Sequence, residues 1–111
     1  MFSYPNKHEE IGLSHNPFKA IVSPRPIGWI STCSSEGHVN IAPYSFFNAV
    51  SENPPMVMFS SAPKKDKELG KDSLLNIKDT KEFVVNIVSY SLRNEMNITS
   101  KNYPRGVSEF E

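Results

Sequence analysis

The chain has 111 residues, and its twelve Lys and Arg balance its twelve Asp and Glu to a formal net charge of zero. That length suits one domain with a core of its own, and the even balance offers nothing to draw the chain to nucleic acid or to an anionic membrane. A single cysteine, Cys33, excludes an internal disulfide and suits a reducing cytoplasm, and no apolar run reaches the length of a signal peptide or a membrane span.

Residues 1–17 form a polar lead-in. From residue 18 to about residue 34 the chain carries a strand signal, with Ile21, Val22, Ile27, Trp29 and Ile30 among small polar residues. Ser34-Ser35-Glu36-Gly37 has the composition of a turn in which Gly37 takes a positive φ. A second strand returns over residues 38–50, and Ser51-Glu52-Asn53-Pro54-Pro55 is expected to be a loop. MVMFSSA, residues 56–62, predicts a compact buried strand, and the charged residues 63–70 an exposed segment. Asp72 and Ser73 can cap a helix running to about residue 80, with Leu74, Leu75 and Ile77 on its apolar side. In EFVVNIV, residues 82–88, Phe83, Val85 and Ile87 face one way and Val84, Asn86 and Val88 the other, as in a strand. A short helix is expected at residues 90–98, before a turn-rich tail. Strands joined by hairpins, with helices inserted late, predict a mainly β fold: an antiparallel barrel or an α+β sheet. No βαβ alternation and no glycine-rich dinucleotide fingerprint is present.

Proline supplies no ladder donor, so Pro24, Pro26 and Pro43 mark strand starts, edges or bulges. The interrupted ladder leaves backbone groups for a ligand or, equally, protects a sheet edge from aggregation. By alternation Gly28, Ile30 and Thr32 oppose Ile27, Trp29, Ser31 and Cys33, while Asn40, Ala42, Tyr44 and Phe46 oppose Val39, Ile41, Pro43, Ser45 and Phe47. Hydroxyls and amides mixed with aromatics suit a wall for a flat, hydrogen-bonding ligand. Ordinary barrel packing, with the hydroxyls bonded to backbone, is the alternative.

Lys71-Asp72-Ser73 at a helix N-terminus can cradle a phosphate, or be no more than a capped helix beside a solvated lysine. His8, His15 and His38 lack metal-ligand spacing and cysteine partners, so zinc is not expected. Cys33 is expected to be a small buried thiol, and no serine stands in a nucleophile elbow. Hard chemistry would have to come from a cofactor.

Taken together, PRPIGWIST (24–32), SSEGHVN (34–40), NIAPYSFFNAVSENPP (40–55), MVMFSS (56–61), GKDSLLNI (70–77) and EFVVNI (82–87) resemble the flavin reductase-like, FMN-binding split-barrel family in order and spacing. The tail YPRGVSEFE is similar to a later segment of that family. The resemblance implies one domain over residues 1–111, a split β-barrel with inserted helices, and a homodimer with FMN near the subunit interface. Carried over by position, Thr32, Asn40, Ala42, Pro43, Tyr44 and Ser45 become contacts to the flavin ring and ribityl chain, with Ser31 offering a further hydrogen bond. Lys71, Asp72 and Ser73 lie near the phosphate; Arg25 reaches it or pairs across the fold. Gly28 allows the close approach of a ligand.

The implied activity passes electrons from NAD(P)H through bound flavin to a second flavin, an oxygenase partner or an iron. Two alternatives stand beside it: a flavoredoxin-like electron carrier with no nicotinamide site, and a shortened remnant or assembly subunit. Family members are longer than this chain, so the resemblance also implies an incomplete barrel, as a truncated gene product, a fragment completed by another polypeptide, or a chain that closes its barrel by dimerisation.

Overall fold

The structure is a computed structural model that describes residues 7–61 and 72–101. Five strands form two antiparallel sheets: β1 (Gly28–Cys33), β2 (Val39–Tyr44) and β5 (Val84–Asn86) in the order β2-β1-β5, and a hairpin of β3 (Phe47–Glu52) with β4 (Pro55–Phe59). Helix α1 (Phe18–Ile21) precedes β1; α2 (Asp72–Thr80) and α3 (Arg93–Ile98) flank β5 in the chain. Among the described residues the strands are mainly β in an open arrangement, and the outer strands β2 and β5 each leave one edge unpaired.

The turn between β1 and β2 closes as its sequence predicts. Gly37 has φ +87° and donates to the Ser34 carbonyl at 3.0 Å, while Ser34 Oγ accepts from the His38 amide at 3.1 Å. A residue with a Cβ is strained at such a φ. Pro43 sits on the edge strand β2, where its missing N–H costs no ladder bond.

Three expectations need correction. The first strand is shorter than residues 18–34. Asn16 Oδ1 accepts from the Phe18 amide at 2.9 Å and starts a helical turn there, so the chain turns extended only at Gly28. The second strand breaks at Ser45-Phe46 into β2 and β3, and β3 runs to Glu52, so most of the expected loop belongs to a hairpin that turns at Asn53-Pro54. The hairpin is also not buried. Val50, Met56, Val57 and Met58 are all exposed, and Phe59 alone of β4 is half-buried.

The core of the described residues centres on the β1–β2 pair, where Ile30, Ile41 and Tyr44 are buried. The Tyr44 ring packs on Phe59 at 4.8 Å and Phe59 meets Phe83 edge-on at 5.3 Å, so an aromatic row ties the two sheets together. Gly28 opens β1 under the Phe47 ring; a Cβ there would lie 2.7 Å from Phe47 Cδ2. The close approach at Gly28 is thus to the chain's own aromatic ring.

Candidate functional site

Antiparallel pairing sets Thr32 opposite Asn40, Ile30 opposite Ala42 and Gly28 opposite Tyr44, so these six positions share one face of the sheet. Helix α2 lies against that face. Asn40 Nδ2 donates to Ser73 Oγ at 2.7 Å, and Asn76 Nδ2 donates to Thr32 Oγ1 at 3.1 Å. Ser73 and Asn76, three residues apart on one side of α2, thereby meet β2 and β1 in succession. All four residues are buried, Ser73 to 1% exposure. Burying polar groups is costly unless they are paired, and here they pair with one another.

The apolar side expected of α2 is present but secondary: Leu74, Leu75 and Ile77 are half-buried, whereas Ser73 and Asn76 are its buried residues. Asn76 was not among the candidates drawn from the sequence. Its three-residue offset from Ser73, matching the Thr32–Asn40 pairing, is the signal that could have found it.

Of the other candidates, Ala42 is half-buried and Tyr44 buried on this same face, and Ser45 lies half-buried at the bend between β2 and β3. Asp72 begins α2, while Lys71 lies outside the described residues. Ser31 and Pro43 belong to the opposite face. There Asn86 Nδ2 donates to Ser31 Oγ at 3.0 Å and to the Trp29 carbonyl at 2.9 Å, and Pro43 pairs with Trp29.

Arg25 sits apart. Its Nη1 donates to the carbonyls of Lys19 and Val22 (the latter at 2.7 Å), and the guanidinium lies 5.5 Å from the Phe46 ring centroid. It ties α1 to the β2–β3 corner. The structure therefore brings Thr32, Asn40, Ala42, Tyr44 and Ser73 to one face and leaves Ser31, Pro43 and Arg25 elsewhere.

Where α2 ends, an open groove of about 250 Å³ is lined by Ser31, Thr32, Cys33, Thr80, Glu82 and Phe83, among others. Cys33 is exposed there, which corrects the expectation of a buried thiol: it ends β1, beyond the reach of the core. No group of three His, Cys, Asp or Glu that could hold a metal occurs among the described residues. Nor is any described helix long and apolar enough to cross a membrane.

The model of the family described as flavin reductase like domain matches residues 22–111. An uncharacterized protein of Aquifex aeolicus is 52% identical over 91 residues, which are 82% of this chain and 46% of that protein. Nitrilotriacetate monooxygenase component B from Bacillus cereus superposes with a TM-score of 0.81 at 33% identity, over 99% of this chain and 54% of the other. A flavin reductase with a split barrel domain from Shewanella frigidimarina, described as putative, gives a TM-score of 0.76 at 22% identity, over 98% of this chain and 54% of its own, and shows the fold alone. The chain spans about half the length of the proteins it matches. It is a member of the flavin reductase-like family, with the strands and helices of part of a split barrel.

Proposed function

We propose that this chain binds FMN and serves as a flavin reductase-type oxidoreductase, taking electrons from NAD(P)H and passing them to an acceptor. The observation that carries this proposal is the face on which Thr32 and Asn40 stand directly opposite each other beneath the first turns of α2. Thr32 of this face also lines the open groove, and its hydroxyl suits a ligand as rich in ring nitrogens and carbonyl oxygens as a flavin. The start of α2, with Asp72, Ser73 and the preceding Lys71, is the part suited to a phosphate.

When bound, the flavin supplies the hydride and electron transfer, and the protein's part is to bind it, orient it and limit access of water. Thr32, Asn40, Ala42, Tyr44 and Ser45 would hold ring and ribityl chain, whereas Ser31, Pro43 and Arg25 stand elsewhere in the fold and are not assigned to the flavin. The name of the Bacillus cereus protein, a monooxygenase component, supports an oxygenase partner as the acceptor. Family membership supports a homodimer acting in the cytoplasm.

The test is oxidation of NADH and of NADPH by the purified chain with FMN, followed by loss of nicotinamide absorbance. Oxidation that depends on both FMN and protein is the expected result. Bound FMN that neither nicotinamide reduces would overturn the reductase assignment and leave an electron carrier.

A further inference from the structure

We propose that Asn76 is a positioning residue for flavin binding that acts through Thr32, by occupying its hydroxyl oxygen and so setting the hydroxyl as a donor. This rests on the flavin-binding function proposed above.

A threonine hydroxyl has one proton to donate and two lone pairs with which to accept. Asn76 Nδ2 donates into Thr32 Oγ1 at 3.1 Å, so the Thr32 proton is directed to some other acceptor. No hydrogen bond donated by that hydroxyl occurs among the described residues, and Thr32 is one of the residues that line the open groove. A ligand bearing carbonyl oxygens or unprotonated ring nitrogens presents the acceptor that such a hydroxyl needs; a ligand offering only donors does not.

Docking a helix on a sheet does not by itself call for an asparagine here. Asn76 is more buried than Leu74, Leu75 or Ile77, and an apolar side chain at its place would avoid the cost of burying an amide. Its amide reaches the strand hydroxyl from the second turn of a helix whose first turn is already fixed by the Asn40–Ser73 bond. One lone pair of the Thr32 hydroxyl is thereby occupied on the α2 side, which turns its proton away from Asn76. The four residues act as a unit, and the two strand members are the ones the family resemblance places against the flavin.

The experiment compares the full chain with Asn76→Ala, Thr32→Val and the double variant by FMN titration, the visible spectrum of the bound flavin, and thermal melting. If Asn76 acts through Thr32, each single change weakens FMN binding by about tenfold, and the double variant binds within about threefold of the weaker single. The bound-flavin bands shift in the same sense in both single variants. Losses that multiply to about a hundredfold in the double variant, or an Asn76→Ala protein that binds FMN within about twofold of wild type with an unshifted spectrum, would overturn the proposal. Should Asn76→Ala fail to fold, Asn76→Ser, too short to reach Thr32 but still polar, is judged by the same criteria. A wild-type chain that binds no flavin overturns the proposed function and this inference with it. Wild-type binding with multiplied losses overturns this inference alone.

Discussion

Asn40 on β2 and Ser73 in the first turn of α2 are joined by a hydrogen bond of 2.7 Å between side chains that are both buried. Thirty-three residues separate them in sequence, so the bond fixes where α2 starts relative to the strand pair. Ser73→Ala removes the acceptor that this amide uses. The expected cost is about 1–3 kcal/mol, which lowers Tm by several degrees or more in a domain of this size. FMN binding weakens as well, since the start of α2 is the proposed phosphate site. A melt and an FMN titration on the same preparation check both, and an unchanged Tm would show that the bond contributes nothing net.

Gly28→Ala tests the packing at the mouth of β1. The added Cβ would meet Phe47 Cδ2 at 2.7 Å and Cγ at 2.8 Å, with Ile30 Cδ1 at 3.2 Å. Phe47 opens β3 in register with Phe59, and the overpacking against its ring is expected to cost about 1–3 kcal/mol of stability. Urea unfolding measures it. Substituting Phe47 by Leu in the same protein recovers part of the loss if the contact is the cause.

The strand pairing and the helix over residues 72–80 were legible because their signals are local: a glycine turn at residues 34–37, alternation in GWISTC, and Asp-Ser ahead of a leucine pair. The exposure of Met56, Val57 and Met58 was not, because a run of apolar residues records an affinity for burial and does not say what lies opposite. At the site, Thr32, Asn40 and Ser73 were legible as residue types and through the family motif. That they bond to one another or to Asn76 depends on how α2 crosses the sheet, which no local pattern encodes. Ser31 carries the same hydroxyl as Thr32, one position away. The pleat sends it to Asn86 on the other face.

That other face has its own lock. Trp29 Nε1 donates to Thr99 Oγ1 at 2.9 Å, and Thr99 Oγ1 donates to the Met96 carbonyl at 2.7 Å, docking the end of α3 against β1. Thr99→Val keeps the shape and removes both bonds, at an expected cost of about 1–2 kcal/mol. Trp29 is the only tryptophan, so its fluorescence reports the change directly. A red shift accompanying the lower stability is expected, whereas native-like emission and stability would show that α3 is held by other contacts.

Cys33 is exposed at the end of β1. A thiol-reactive dye added to the native chain without denaturant is expected to label it stoichiometrically, at a rate close to that of the unfolded chain. Labelling that requires denaturant would place the thiol inside the fold and contradict the position of β1 at the groove.

FMN binding decides whether the face shared by Thr32, Asn40 and Ser73 belongs to a flavin pocket. The most direct measurement is the visible absorbance of FMN as the purified chain is added, with the same mixture run through size-exclusion chromatography. Binding predicts perturbed flavin bands that saturate and elute with the protein, and weaker perturbation with Ser73→Ala. Flavin that keeps its free spectrum and elutes apart from a folded wild-type chain would contradict the account.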